Sequence, residues 1–156
     1  MATEIERKFL VTSEAWRAGA VGVAYRQGYL SAAKGRTVRV RAAGDKAYLT
    51  VKGAREGISR AEFEYEIPLA DATYMLEALC IQPLIEKTRW TLKFGGHIWE
   101  VDEFAGANAP LVVAEVELES EAQAVPLPGW VGKEVSTNYH YTNAYLAQNP
   151  YSLWPK

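Results

Sequence analysis

The chain has a single cysteine, Cys80. That excludes an internal disulfide and any cysteine-rich metal site. Cys80 lies in the stretch Leu76–Ile81 and reads as a small buried hydrophobe. Histidine is nearly as scarce, with only His97 and His140. Neither has a partner at metal-ligand spacing. No apolar run approaches the ~18 residues of a membrane-crossing helix. Net charge is also low, at −2, so no bulk basic field points to nucleic acid or an anionic membrane. Charge from position 4 onward leaves no secretory-leader pattern, and the expectation is a cytoplasmic protein. No repeat, linker or low-complexity segment divides the 156 residues, so a single domain over 1–156 is expected.

What the sequence does contain is alternation with a period of two, the signature of strands. It recurs over 3–11, 24–30, 36–42, 47–53, 60–67, 84–94, 97–104 and 111–119. Hairpin turns fit between several of these. Ala43-Gly44-Asp45-Lys46 is one, and Gly95-Gly96 supplies the positive φ of another. Helical stretches are few. Ser13 caps a short turn, Asp71 or Thr73 starts a helix running to Leu79, and 138–148 suits a C-terminal helix halted by Pro150. Mostly hairpin-linked strands predict an antiparallel barrel or sandwich with helices at its rim.

The charges follow the same parity. Glu4, Glu6 and Lys8 share one face of their strand, with Ile5 and Phe9 on the other. Arg39 and Arg41 oppose Val38 and Val40; Thr50 and Lys52 oppose Leu49 and Val51. Glu62, Glu64 and Glu66, then Lys87 and Arg89, then Glu100 and Asp102, then Glu115, Glu117 and Glu119 repeat the design. A sandwich with solvated charged faces explains any one of these strands. It explains the set less well, because whole faces carry one sign. Paired arginines also supply planar donors suited to gathering an anion. In a barrel, alternate residues face the interior. With the charged faces inward, the apolar faces would be covered outside by helices, loops and the five Trp and nine Tyr residues.

Such an interior gathers Lys8, Arg39, Arg41, Lys52, Lys87 and Arg89, with Lys133 as a further candidate. Against them stand Glu4, Glu6, Glu62, Glu64, Asp102, Glu115 and Glu117. Buried charges must be paired or bound. Clustered cations call for an anion, and clustered carboxylates call for a cation. A polyphosphate with a divalent metal satisfies both, and all-oxygen ligands suit Mg²⁺ or Mn²⁺. Those are the requirements of phosphoryl transfer.

Glu4-x-Glu6-x-Lys8 resembles the ExExK signature of the CYTH superfamily, the triphosphate tunnel metalloenzymes. The resemblance continues in order through Arg39-x-Arg41, Leu49-Thr50-Val51-Lys52-Gly53, Glu62-x-Glu64 and Glu86-Lys87-Thr88-Arg89. It extends through Trp99–Phe104, Ala114-Glu115-Val116-Glu117-Leu118 and Gly132-Lys133-Glu134-Val135, and so covers almost the whole chain. It implies an eight-stranded antiparallel closed β-barrel, a mainly β (α+β) fold with a polar charged tunnel and helices packed outside. It further implies metal-dependent hydrolysis of a triphosphate, above all inorganic tripolyphosphate, by a metal-ordered water. Glu6, Glu115 and Glu117 would be metal ligands, with Glu4 near a second metal position. Glu62, Glu64 and Asp102 would position cations or help to bind metal. Arg39, Arg41, Lys52, Lys87 and Arg89 would hold phosphate oxygens, and Lys133 would close a tunnel mouth. Lys8 would contact phosphate or orient the attacking water, and Lys8, Glu4 and Arg41 would act at the reacting atoms.

A hydrolase or cyclase acting on an organic triphosphate, thiamine triphosphate or ATP, stays open, as does a module that binds polyphosphate or a nucleotide without turnover. The faces assigned to the tunnel carry few aromatics, Tyr48 and Phe104, which leans toward a bare triphosphate. The expected partner is a small-molecule triphosphate, with no nucleic acid and no membrane; homodimerisation is left open.

Overall fold

The computed structural model describes residues 3–155. Nine strands, β1 (Thr3–Val11), β2 (Val21–Ala33), β3 (Arg36–Ala43), β4 (Lys46–Gly53), β5 (Ser59–Ile67), β6 (Ile85–Phe94), β7 (His97–Phe104), β8 (Val112–Glu117) and β9 (Val131–Glu134), form one antiparallel sheet. It runs β5-β4-β3-β2-β6-β7-β8-β1, and β1 closes the ring onto β5 through Thr3↔Ala61, Glu4↔Arg60 and Ile5↔Ser59. That closure removes the sandwich reading. An eight-stranded barrel results, and the far half of β1 is left free to pair with the short β9. Gly95 and Gly96 turn the β6–β7 hairpin with φ of 60° and 81°, as their sequence predicts.

Two apolar clusters lie on the outer wall, where the alternation places them. Phe9, Trp99, Val101, Ala114 and Val116 are covered by Trp16 and Trp130. The Trp99 ring meets Phe9 at 5.8 Å and Trp130 at 5.7 Å edge-on. Elsewhere Val40, Ala47 and Leu49 lie beneath Ala72 and Leu76 of helix α1 (Leu69–Ala78), where Cys80 is also buried. The helix begins earlier than Asp71 or Thr73. Pro68, with φ of −58°, stands at its cap, and its carbonyl accepts from Ala72.

The third cluster lies inside the barrel. Along β1 the inward series Glu4, Glu6, Lys8 ends in Leu10. Along β6 the series Arg89, Lys87 ends in Ile85, along β7 Asp102 is followed by Phe104, and along β8 Glu115 is followed by Val113. At this one end the lining turns apolar, and helix α2 (Asn143–Gln148) packs there with Ala144, Leu146 and Ala147. A single helix over 138–148 does not form. Tyr139–Tyr141 is a short 3₁₀ turn, and Thr142 then leaves the helical region with ψ of 149° to cap α2, its Oγ1 accepting from Tyr145 N–H. Among the described residues no helix is long and apolar enough to cross a membrane.

Candidate active site

The barrel encloses a polar cavity of about 190 Å³. Lys8, Arg39, Arg41, Lys52, Arg60 and Arg89 line it, opposite Glu4, Glu6, Glu62, Glu64, Glu100, Glu115 and Glu117. Tyr29, Thr142, Asn143 and Ala144 form its floor at the α2 end.

Most of these charges are already matched. Lys52 Nζ lies 2.9 Å from Glu4 and 3.3 Å from Glu62, and Arg60 reaches Glu4 at 3.4 Å. Burial works against the charge on Glu4, but Lys52 and Arg60 outweigh it and lower its pKa to about 2. Arg39 lies 3.5 Å from Glu64, and both side chains bond Thr50. Lys8 approaches Glu115 at 3.8 Å and donates to the Tyr141 carbonyl. Deeper toward the α2 end, Asp102 takes two bonds from Arg89 at 2.8 and 2.9 Å and one from Lys87 at 2.7 Å.

Two groups are left over. Arg41 is buried and bonds only the neutral Gln27, whose Oε1 accepts from its Nε at 2.8 Å. Among the described residues no carboxylate pairs with it. Burial, then the like charges of Arg39 and Arg89, push its pKa down to about 9. Glu6 is the converse case. Burial raises its carboxyl, and Glu115 and Glu4 beside it raise it further. Glu6 and Glu115 stand close enough to share a proton, while Lys8 and Arg89 hold Glu115 well down against its burial. Glu117, opposite Glu6 in the β1–β8 register, is also raised by burial and by Glu4.

The structure therefore gathers Lys8, Arg39, Arg41, Lys52, Arg89, Glu4, Glu6, Glu62, Glu64, Glu115 and Glu117 around one cavity. Lys87 and Asp102 sit just outside it, locked to each other. Lys133 stands exposed on β9, away from the lining. Sequence reading missed Arg60 and Glu100, although both share parity with chosen neighbours. It also missed Gln27, Tyr25 and Tyr29, because β2 carries no alternating charge on its inward face. The aromatic content of that face is accordingly higher than Tyr48 and Phe104 suggest. Three cations lie over the Tyr25 ring, Arg41 at 4.8 Å, Arg89 at 5.1 Å and Lys87 at 5.9 Å.

The donor set fits a hard divalent cation. It is all oxygen, and it includes a carboxyl raised by its own neighbours that a cation would return to its charged form. Among the described residues no three His, Cys, Asp or Glu side chains are already drawn into a ligating group. A cation bound there would displace the proton between Glu6 and Glu115.

A closed antiparallel barrel around a tunnel of opposed cations and carboxylates defines the class of protein. The CYTH domain model matches residues 2–150, and the chain belongs to that family. It is 51% identical to an inorganic triphosphatase of Acetivibrio thermocellus, over 97% of each chain. It is 39% identical to an inorganic triphosphatase of Nitrosomonas europaea, over 93% of this chain and 97% of that one. The crystal structure of an inorganic triphosphatase superposes with a TM-score of 0.66 at 37% identity, covering 94% of this chain and 95% of that one.

Proposed function

We propose that the chain hydrolyses inorganic tripolyphosphate to pyrophosphate and phosphate, with Mg²⁺ or Mn²⁺, as a single catalytic domain. Family membership implies a divalent metal, and oxygen ligands suit either ion. The observation that carries the reading is the pair of leftover charges facing one cavity, Arg41 for an anion and Glu6 for a cation. Size supports the choice of substrate. A cavity of about 190 Å³ is smaller than the roughly 300–1,000 Å³ of sites that enclose drug-sized ligands. It suits a bare phosphate chain, and an organic group would remain outside the mouth.

Arg39, Arg41, Lys52 and Arg89 would hold the phosphate oxygens, with Arg60 joining them. Glu62 and Glu64 hold Lys52 and Arg39 in place. Lys8, which lines the cavity beside Glu115, would face the reacting phosphate. Glu6, Glu115 and Glu117 would hold the metal, with Glu4 beside them. A divalent ion there supplies the charge neutralisation and water activation of phosphoryl transfer.

Phosphate release from tripolyphosphate, ATP and thiamine triphosphate, each with Mg²⁺, Mn²⁺ or EDTA, tests the reading. The expected result is metal-dependent release, fastest from tripolyphosphate and abolished in Glu6→Gln. Preference for an organic triphosphate would overturn the substrate assignment. No release from any of the three, with tripolyphosphate still raising the melting temperature, would make the chain a binding module.

A further inference from the structure

At the cavity floor runs a hydrogen-bonded chain through two neutral amides, Gln27 and Asn143, outside the charged motifs of the sequence. Gln27 Oε1 accepts from Arg41 Nε at 2.8 Å, and its Nε2 donates to Asn143 Oδ1 at 2.9 Å. The same Oδ1 accepts from Lys87 Nζ at 3.1 Å, and Lys87 continues to Asp102 at 2.7 Å. Gln27 is completely buried. Both ends of this chain are donor-only cations, which fixes every amide between them. Arginine demands the oxygen of Gln27. The glutamine NH₂ must then face Asn143, which must present its own oxygen, and that oxygen also suits Lys87.

The residue types matter as much as the geometry. A glutamate at position 27 would hold Arg41 equally well, but it would neutralise Arg41 and compete with phosphate. An amide orients the guanidinium and leaves its charge unspent. With Nε tied back, the two terminal nitrogens remain free for a bidentate grip on phosphate. Asn143 is also the first residue of α2, whose Ala144, Leu146 and Ala147 seal the barrel end. Docking of that helix therefore sets the position of the amide.

We propose that Gln27 and Asn143 are positioning residues that aim Arg41 at the substrate, with Lys87 anchoring the Asn143 amide, and that couple the seating of α2 to phosphate binding. The proposal rests on the triphosphate reading above. Gln27→Leu, Gln27→Glu, Asn143→Ala and Arg41→Ala would be compared by calorimetric tripolyphosphate binding in EDTA and by kcat and KM with Mg²⁺. Gln27→Leu should weaken binding roughly tenfold or more, seen mainly in KM. Gln27→Glu should weaken it as much, although it keeps the bond to Arg41; since it also loses the amide donor to Asn143, a melting temperature close to wild type must accompany the loss to assign it to the neutralised guanidinium. In an Arg41→Ala background Gln27→Leu should add almost nothing, whereas with Arg39→Ala the two losses should add.

Wild-type affinity in Gln27→Glu, or additivity with Arg41→Ala, would overturn the proposal. If Gln27→Leu fails to fold, the less buried Asn143→Ala carries the same test through KM. Failure of the wild-type protein to bind tripolyphosphate would instead overturn the functional reading, and the positioning role with it.

Discussion

Asp102→Asn gives the clearest test of how the tunnel's cations are held. The carboxylate is 1% exposed and takes three bonds, two from Arg89 and one from Lys87. Burial works against its charge, but Arg89 and Lys87 outweigh that and hold its pKa well below the usual range. The near-isosteric amide removes the charge and leaves two buried cations facing each other. Breaking a buried pair in this way costs about 3–5 kcal/mol. At ~2–4 °C per kcal/mol for a chain of this size, the melting temperature should fall by roughly 6–20 °C.

The fall should also depend on pH. Burial pushes Lys87 down to about 7, with Asp102 pulling it back up. In the unfolded chain a lysine titrates near ~10.4. Between those values the unfolded state binds more protons, so stability rises with pH. Without Asp102 the folded pKa drops further, and the same window extends below 7. The deficit of the variant should therefore be larger at pH 6 than at pH 8.5, where Lys87 is largely neutral in both proteins and only the share of Arg89 remains. Asp102 itself adds no slope, since its stabilisation is lost only as pH falls below about 3.9. Thermal melts at the two pH values, with Mg²⁺ titrations, supply the measurement. A variant melting within ~2 °C of wild type at both pH values would refute the reasoning. Retained stability with lost metal affinity would make Asp102 a ligand instead.

Two other substitutions separate function from stability. Arg41→Met removes a buried charge that no carboxylate matches but orphans the buried Gln27 Oε1, so the two effects offset and the melting temperature should move by only a few degrees, while calorimetry shows tripolyphosphate binding weakened at least ~tenfold. A large fall in melting temperature would mean that the guanidinium is a structural tie. In Gly28→Ala, on β2, the new Cβ would lie 2.7 Å from Leu84 Cδ2 and 2.8 Å from Cys80 Cβ. Urea unfolding should show a loss of about 1–3 kcal/mol, and an unchanged midpoint would show that this wall yields freely.

The barrel was legible because seven strands carry the same charged parity, and a closed sheet is the arrangement that turns all of those faces onto one another. Register was not legible. Whether Lys8 meets Glu115 or Glu117 depends on a two-residue shift across β1 and β8, which keeps the same face and which alternation therefore leaves open, and the structure sets Lys8 opposite Glu115. Nor was β2 readable as a tunnel wall, since Tyr25, Gln27 and Tyr29 resemble an ordinary half-buried strand. The break at Thr142 rests on one side-chain bond, and helical periodicity runs straight through it. The apolar end of the tunnel was present in the parity series, in Leu10, Ile85, Phe104 and Val113, but these read as strand ends until α2 is seen packed against them.

That blind end bears on how the site keeps its charge available. At the α2 end Lys87 and Arg89 pair with the buried Asp102 and also act on the buried Glu115, Arg41 has no carboxylate partner, and Glu100 reaches Arg89 at 3.4 Å from a half-exposed position. The remaining support comes from groups that carry no charge, the Gln27 and Asn143 amides and the Tyr25 ring. A cation over a ring gains roughly 0.5–2 kcal/mol, and an amide bond to a charged group gains about 1.5–3 kcal/mol. Those contributions hold the cations without cancelling them. At the other end carboxylates outnumber cations, and Glu6 is left to share a proton. The barrel thus separates an excess of positive charge near its sealed floor from an excess of negative charge farther out. That separation matches the proposed ligand, a phosphate chain whose oxygens suit the cations and a divalent ion that suits the carboxylates.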